Sequence, residues 1–370
     1  MELSTIWERR TCVRGDLHHK SMEDGTPAVS IIIPVYNRPE CLSACIKSAQ
    51  NQTLREIEII LVDDYSDDET KAFLQVFSLR DSRIRVLCNT GKKGANACRN
   101  LGLNQSRGKY VVFLDSDDIL CPFCAKMRVE DMEMASDLDF IAYPCLMFQN
   151  QPMDRLIIWN IKTETDLLDR FLQHDAPFQT TGPIWRRSRI LGKVAWDEDL
   201  PGWQDWKFHV EALLQGLKGD FRTRIDYFWN APKQNSVTRL SHNKEGRLLR
   251  MQAIVRLAHA ADESRRSALL SSVVSLAIRM ARRDRIGAAF GVYTVLRGYP
   301  KAFHAAVFVL LEPYYSVPLV YIRGFFRKQV HAHYPLTRII LKESKTYKLV
   351  APLPQLRELV AHLHENSHHS

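Results

Sequence analysis

Between residues 29 and 118 the chain alternates short, unbroken apolar runs with segments of helical period. The first run, Val29-Ser-Ile-Ile-Ile-Pro34-Val-Tyr36-Asn37, is β-branched with a proline near its end, where a missing N–H is tolerated. A helix is predicted from about Pro39, with Leu42, Cys45, Ile46 and Ala49 on one face. Glu56 to Asp64 reads as a second strand ending in two carboxylates. Ser66 and Glu69 have the spacing of a capping box that opens a helix with Ala72, Phe73, Val76 and Phe77 inward. Ile84–Cys88 is a third short strand, Gly91–Gly94 a glycine-punctuated turn, and Ala95–Gln105 a short helix. The fourth strand, from Tyr110 to Leu114, runs straight into Asp115, Asp117 and Asp118.

Four strand–helix alternations in under a hundred residues imply βαβ crossovers and an α/β fold with a mixed, mainly parallel sheet of Rossmann-like, nucleotide-binding type. Ligands of such sheets sit at the C-terminal ends of the strands, where these carboxylates lie. Three acids this close repel one another and call for a cation. Mg²⁺ and Mn²⁺ take carboxylate oxygens and share them with phosphates, so the pattern points to a metal–diphosphate site. No Gly-x-Gly-x-x-Gly follows the first strand and there is no Gly-x-x-x-x-Gly-Lys loop, which disfavours dinucleotide and P-loop readings.

Beyond Asp118 the pattern is mixed. A helix is expected over Cys121–Ala135, a strand over Asp139–Tyr143 and a helix over Thr165–Gln173. Thr180–Arg187 reads as a turn entering a short aromatic strand. Gly202–Trp206 introduces a helix with Val210, Leu213 and Leu214 inward, and Phe221–Trp229 alternates as one half-buried strand. The expected organisation is a polar lead-in over 1–27, a catalytic domain over 28–240 (nucleotide-binding half 28–120, acceptor half 121–240) and a helical, basic region over 241–370.

Charge changes the picture at the C-terminal end. The net charge is +9, but from Arg239 onward 21 Lys and Arg stand against 8 Asp and Glu, leaving residues 1–238 at −4. A basic tail implies an anionic partner. Its aromatics lie in apolar runs, Ala302–Leu311 and Val317–Phe326, rather than between the basic residues. That argues for an anionic membrane surface and against nucleic acid. The stripe Leu269, Leu270, Val273, Val274, Ala277 and Ile278 fits either an interfacial helix or a bundle packed on the core, with a homo-oligomer interface as a further option. Residues 1–28 lack the apolar centre of a signal peptide, and no run of about 20 apolar residues appears. The expected location is cytoplasmic, peripheral on the inner face of the membrane. The 8 cysteines read as reduced thiols, including Cys121-Pro-Phe-Cys124, whose redox-pair spacing lacks a thioredoxin-like context.

Residues 29–240 resemble the family 2 glycosyltransferases with the GT-A fold. The resemblance is carried by Ser30-Ile-Ile-Ile-Pro-Val-Tyr36-Asn37, Val62-Asp-Asp64-Tyr-Ser66-Asp-Asp68, Gly94-Ala-Asn96-Ala-Cys-Arg99-Asn100-Leu-Gly102 and Phe113-Leu-Asp115-Ser-Asp117-Asp118, in the family's order and spacing. It implies an inverting, metal-dependent glycosyltransferase with a nucleotide-sugar donor, UDP-linked, and a glycan or lipid-linked acceptor in surface polysaccharide synthesis. By position it implies that Pro34, Val35 and Tyr36 line the nucleoside pocket and that Asp64 accepts a hydrogen bond from the base. Arg99 meets the base or diphosphate, Asp115 lies by ribose and metal, and Asp117 ligates Mg²⁺ or Mn²⁺ directly. The family's base position falls at Gln204-Asp205, with Gln204 where an acid is usual, which leaves Asp205 as the base. Trp203 and Trp206 flank it as an apolar wall, with an N-cap role for Asp205 compatible with the base role. Thr181, Gly182, Pro183 and Trp185 resemble the acceptor-side loop, and Arg239 a phosphate contact. Two other classes share parts of this pattern. A sugar-phosphate nucleotidyltransferase would need a glycine-rich first loop that Pro34-Val-Tyr-Asn-Arg38 does not supply; a non-catalytic nucleotide-sugar binder is separated by turnover.

Overall fold

The computed structural model describes residues 25–230 except 38, 156, 174 and 201, residues 244–311 except 282, 283 and 300, and residues 348–350 and 359. A seven-stranded sheet has the order β10-β6-β9-β4-β1-β2-β3. Its strands are β1 (Val29–Val35), β2 (Ile57–Asp63), β3 (Ile84–Cys88), β4 (Tyr110–Phe113), β6 (Phe140–Ala142), β9 (Pro183–Arg186) and β10 (Gly219–Phe221). All neighbours pair in parallel except β9, which is antiparallel to both β4 and β6. The helices α1 (Pro39–Gln50), α2 (Asp68–Arg80) and α3 (Ala95–Gln105) connect β1 to β4 in turn.

Both faces of the sheet are covered, which is why β1 and β2 read as continuous apolar runs. Ile31, Ile33 and Val35 point into a core shared with Leu42, Cys45 and Ile46 of α1. Ile32, Ile60 and Val62 point to the opposite face, into a core with Cys98 and Leu103 of α3. Helix α3 approaches the sheet closely at Gly102, where a Cβ would stand 2.4 Å from Ile32 Cγ2. That contact requires glycine.

A second sheet, β12-β8-β7-β11-β5, was not evident from the chain pattern. It joins β5 (Ile119–Leu120), β7 (Cys145–Phe148), β8 (Ile157–Trp159), β11 (Tyr227–Asn230) and the distant β12 (Lys348–Val350). Helix α4 (Cys124–Met134) follows β5; α5 (Leu167–Leu172) and the four-residue α6 (Arg187–Ile190) follow β8 and β9. Helix α7 (Gln204–Leu214) precedes β10. Four helices lie between β11 and β12 among the described residues: α8 (Lys244–Ala260), α9 (Glu263–Ala281), α10 (Arg285–Leu296) and α11 (Ala302–Leu311).

Several expectations need correction. Asp67, not Ser66, caps α2, accepting from the Thr70 amide at 2.8 Å, because Ser66 is already committed to Asn37 and Asp63. On α2 Leu74 is buried and Phe73 and Phe77 are half-buried against the same core, the last two as expected, while Ala72 and Val76 are exposed. The helix expected over Cys121–Ala135 begins only at Cys124. Phe221–Trp229 is not one strand: β10 and β11 belong to different sheets, and Asp226 between them is fully buried on Arg128. The stripe on α9 is buried within the core that holds Phe208 and Val210 of α7, so α9 is a bundle helix and not an interfacial one. Cys121 and Cys124 are free and buried, and burial pushes both thiols above their usual range, which makes them poor nucleophiles.

Candidate active site

The site forms where β1, β2, β3 and β4 end side by side. Val35, Asp63 and Cys88 stand in register, and the ladder continues through the Asp64 amide to the Val35 carbonyl (2.7 Å) and the Asn89 amide to the Asp63 carbonyl (2.8 Å). This edge therefore presents Tyr36, Asp64, Asn89 and Asp115 from consecutive loops. Buried Asp64 accepts from Asn89 Nδ2 (2.9 Å) and from the Gly94 amide (3.1 Å), so it orders the loop that opens α3. Gly94, the N-cap of α3, has φ 143°, a conformation that side chains resist. Half-exposed Tyr36 lies under Lys93, whose Nζ is 4.0 Å from the ring centroid. Lys92 pairs with Asp199.

Non-glycine residues in the left-handed region gather here: Asn37 (φ 52°), Tyr65 (φ 60°) and Trp203 (φ 62°). Such backbone costs energy and is held by local bonds. The Asn37 amide donates to Ser66 Oγ while Asn37 Oδ1 accepts from the Asp67 amide, and Tyr65 Oη donates to the Gly91 carbonyl.

Arg99 joins the two halves. Its guanidinium is buried and stacks 4.5 Å above Trp196. Nη2 donates to Asp115 Oδ1 at 2.6 Å, and Nη1 donates to Gln204 Oε1 at 3.2 Å. The end of β4 is thereby tied to the first turn of α7, which carries Asp205. Gln204, which stands where an acid is usual, acts as an uncharged acceptor for Arg99. Asp205 is half-buried, and its Oδ1 accepts from the Trp206 amide at 2.8 Å. Burial, reinforced by the Asp115 charge, pushes its carboxyl above the ordinary range against the opposing pull of the Trp206 amide and Arg99. Trp203, not Asp205, is the N-cap of α7.

The acidic loop is braced from below. Asp118 is fully buried; its Oδ2 accepts from Thr181 Oγ1 (2.7 Å) and Gln179 Nε2 (3.3 Å), and its Oδ1 from the Asn230 amide (3.1 Å). Burial and the charges of Asp117 and Asp115 push its carboxyl well above the usual range. The Asp115 amide donates to Thr181 Oγ1 at 3.3 Å. The Thr181 carbonyl in turn accepts from Arg128 Nη1 (3.0 Å), and Arg128 makes a two-pronged pair with Asp226 at 2.9 and 2.7 Å, both side chains fully buried.

The structure thus brings Asp64, Arg99, Asp115 and Asp205 into one connected region, with Pro34, Val35 and Tyr36 on its β1 edge and Asp117 in the same loop as Asp115. It does not support the expected roles of all the acceptor-side residues. Trp185 is fully buried among Phe140, Phe208 and His209 and cannot touch an acceptor. Trp206 is buried, with Nε1 donating to the Phe171 carbonyl. Thr181 braces Asp118, and Gly182 is packed with a Cβ position only 3.0 Å from Phe178 Cβ. Trp203 is half-buried beside Asp205, with the Arg250 guanidinium carbon 5.4 Å over its ring and the Trp206 ring centroid 5.5 Å away. Arg239 lies outside the described residues. Asn96 and Asn100 were quoted in the α3 motif without a role: Asn100 accepts from the Trp196 amide and donates to its carbonyl, and Asn96 donates to the Asp197 carbonyl. Their i, i+4 spacing on α3 was the available signal: together they clamp the segment that leads to α7.

The donor set fits a hard divalent cation. Asp115 and Asp117 are two carboxylates on one short loop; burial first, and then their charges, push the Asp118 carboxyl up, and a cation there would relieve the second of these causes. No cage of three or more His, Cys, Asp or Glu exists among the described residues, so such an ion would complete its shell with phosphate oxygens and water.

The chain is similar to known proteins in sequence and in fold. Residues 30–194 match the family model described as glycosyl transferase family 2. The chain is 44% identical over 95 residues to a GalNAc(5)-diNAcBac-PP-undecaprenol beta-1,3-glucosyltransferase of Campylobacter jejuni, covering 25% of this chain and 31% of that protein. It is 38% identical over 113 residues to the UDP-Glc:alpha-D-GlcNAc-diphosphoundecaprenol beta-1,3-glucosyltransferase WfgD of Escherichia coli, covering 30% and 44%. The chain thus spans less than half the length of either relative. The crystal structure of S. aureus TarS 1-349 in complex with UDP-GlcNAc superposes with TM-score 0.59 at 18% identity, over 84% of this chain and 91% of that one, a likeness of fold.

Proposed function

From the match of residues 30–194 to the glycosyl transferase family 2 model we propose that the chain transfers a sugar, with inversion, from a UDP-linked donor to a hydroxyl of a glycan or lipid-diphosphate-linked acceptor in surface polysaccharide synthesis. The observation that carries the reading is the Arg99 bridge, which couples the acidic end of β4 to the helix bearing Asp205. Two relatives named for undecaprenol-diphosphate acceptors support the acceptor class.

In this reading Pro34, Val35 and Tyr36 hold the nucleoside, and Asp64 and the loop it orders meet the base. Arg99 fixes Asp115 toward the ribose. Asp117 and Asp115 would hold Mg²⁺ or Mn²⁺, which supplies charge neutralisation for the leaving diphosphate. Asp205 takes the proton of the acceptor hydroxyl; the oxygen attacks the anomeric carbon, and the bond to the diphosphate breaks on the opposite face. A carboxyl raised by burial and a neighbouring charge is a better base than an exposed aspartate. Trp203, half-buried beside Asp205, borders the acceptor, and Arg239 offers a cation to the diphosphate. A lipid-linked acceptor places the reaction at the inner face of the cytoplasmic membrane, with the chain held peripherally. Among the described residues no helix is long and apolar enough to cross a membrane.

The test is incubation of the full chain with a panel of UDP-sugars, an undecaprenyl-diphosphate sugar acceptor and Mn²⁺ or Mg²⁺, following UDP release. One donor is expected to release UDP only with the metal present. Tight UDP binding with no metal-dependent release from any donor would make the chain a binder and overturn the reading.

A further inference from the structure

Helices α10 and α11 form a hairpin with more apolar surface than its packing consumes. One side of the hairpin is built into the core through Ala288, Val292 and Leu296 of α10 and Ala305, Phe308 and Val309 of α11. On α10, however, Ile286, Phe290 and Tyr293 recur at i, i+4 and i+7 and are 77%, 65% and 44% exposed. On α11, Phe303 and Leu310 recur at i and i+7 and are 62% and 36% exposed. A helix at a protein–water boundary presents polar residues to the water; these two present large apolar and aromatic side chains on that side as well.

The charges around the stripe identify what covers it. Residues 279–311 contain six cations, Arg279, Arg282, Arg283, Arg285, Arg297 and Lys301, against one acid, Asp284. Asp284 is itself engaged as the N-cap of α10, accepting from the Gly287 amide at 2.9 Å. A second copy docked face to face through this stripe would set these like charges against each other, which disfavours a symmetric dimer. A bilayer with anionic lipids answers both features: Ile286, Phe290 and Phe303 enter the headgroup–acyl boundary, Tyr293 sits at the interface, and exposed Arg297 and half-buried Lys301, between the two helices, meet lipid phosphates.

We propose that the exposed face of the α10–α11 hairpin is a docking surface for an anionic lipid bilayer. It extends the proposed work on a membrane-borne acceptor, and its test reads lipid binding without turnover, so either can fail alone. Full-length chain is sedimented with vesicles of phosphatidylcholine, with and without phosphatidylglycerol. It is expected to pellet with the anionic vesicles, and high salt should weaken the binding. The variant Ile286→Ser/Phe290→Ser/Phe303→Ser, whose replaced side chains are all surface-exposed, should keep its melting temperature and lose about tenfold or more in vesicle affinity. The variant Arg297→Glu/Lys301→Glu should lose the preference for phosphatidylglycerol. The proposal is overturned if the parent chain stays in the supernatant, or if the triple variant binds as the parent does. It is also overturned if light scattering shows a dimer that the triple variant dissociates while vesicle binding is unchanged.

Discussion

Asp205→Asn is expected to bind UDP as the parent chain does and to transfer sugar about 10²–10⁴-fold more slowly, the range for loss of a general base. The amide keeps the size of the carboxyl and the acceptor for the Trp206 amide (2.8 Å), so α7 should start as before. What it loses is the capacity to take a proton. The pH profile gives an independent check. The folded carboxyl is raised, by burial first and then by Asp115, so the base form is present above that raised pKa. Transfer should fall as pH drops through it, at a pH above the ordinary carboxylate range. The residual activity of Asp205→Asn should lack this acid limb. Near-normal transfer by the variant, with the limb intact, would assign the base to another residue.

Arg128→Met is expected to lower the free energy of unfolding by about 3–5 kcal/mol, the cost of leaving one member of a buried ion pair without its partner. Arg128 and Asp226 are both fully buried and joined by two hydrogen bonds of 2.9 and 2.7 Å. Removing the guanidinium takes both short hydrogen bonds from the buried Asp226 carboxylate, leaving it only the longer Arg224 pair at 3.8 Å, and deprives the Thr181 carbonyl of its donor. Because Thr181 supports both Asp118 and the Asp115 amide, the damage reaches the acidic loop. The double variant Arg128→Met/Asp226→Leu, which removes both charges, should regain most of the loss. Urea unfolding of the two variants measures this. A single variant within about 0.5 kcal/mol of the parent, typical of a surface substitution, would show that the pair does not carry this load.

These two positions illustrate how unevenly the chain displays its structure. The strands β1 to β4 were legible because each is a local apolar run buried on both faces, and the carboxylates follow directly in sequence. Asp205, in the first turn of α7, was singled out by its place in a motif. Arg128 and Asp226 were not, because they are 98 residues apart and Asp226 alternates with its neighbours like the outward residue of a strand. The same limit hid the partner of Asp118, Thr181, 63 residues away, although Asp118 itself was expected to support the turn, and it hid the pairing of β12 with β8. Trp185 and Trp206 misled for a different reason. Tryptophan serves equally as a sugar platform and as core filling, and only the packing distinguishes them. The capping residue of α2 was misassigned by one position because Ser66 bonds across to the β1 loop, a tertiary contact that overrides the local spacing.

The central claim is that the end of β4 is a metal–diphosphate site in which Asp117 is the direct ligand. It is tested most directly by calorimetric titration of UDP into the parent chain and into Asp117→Ala, each with and without Mn²⁺. The parent is expected to bind UDP about tenfold or more tightly with the ion present, and Asp117→Ala weakly and equally in both conditions. Undiminished, Mn²⁺-enhanced binding by Asp117→Ala, or parent binding indifferent to the ion, would contradict it.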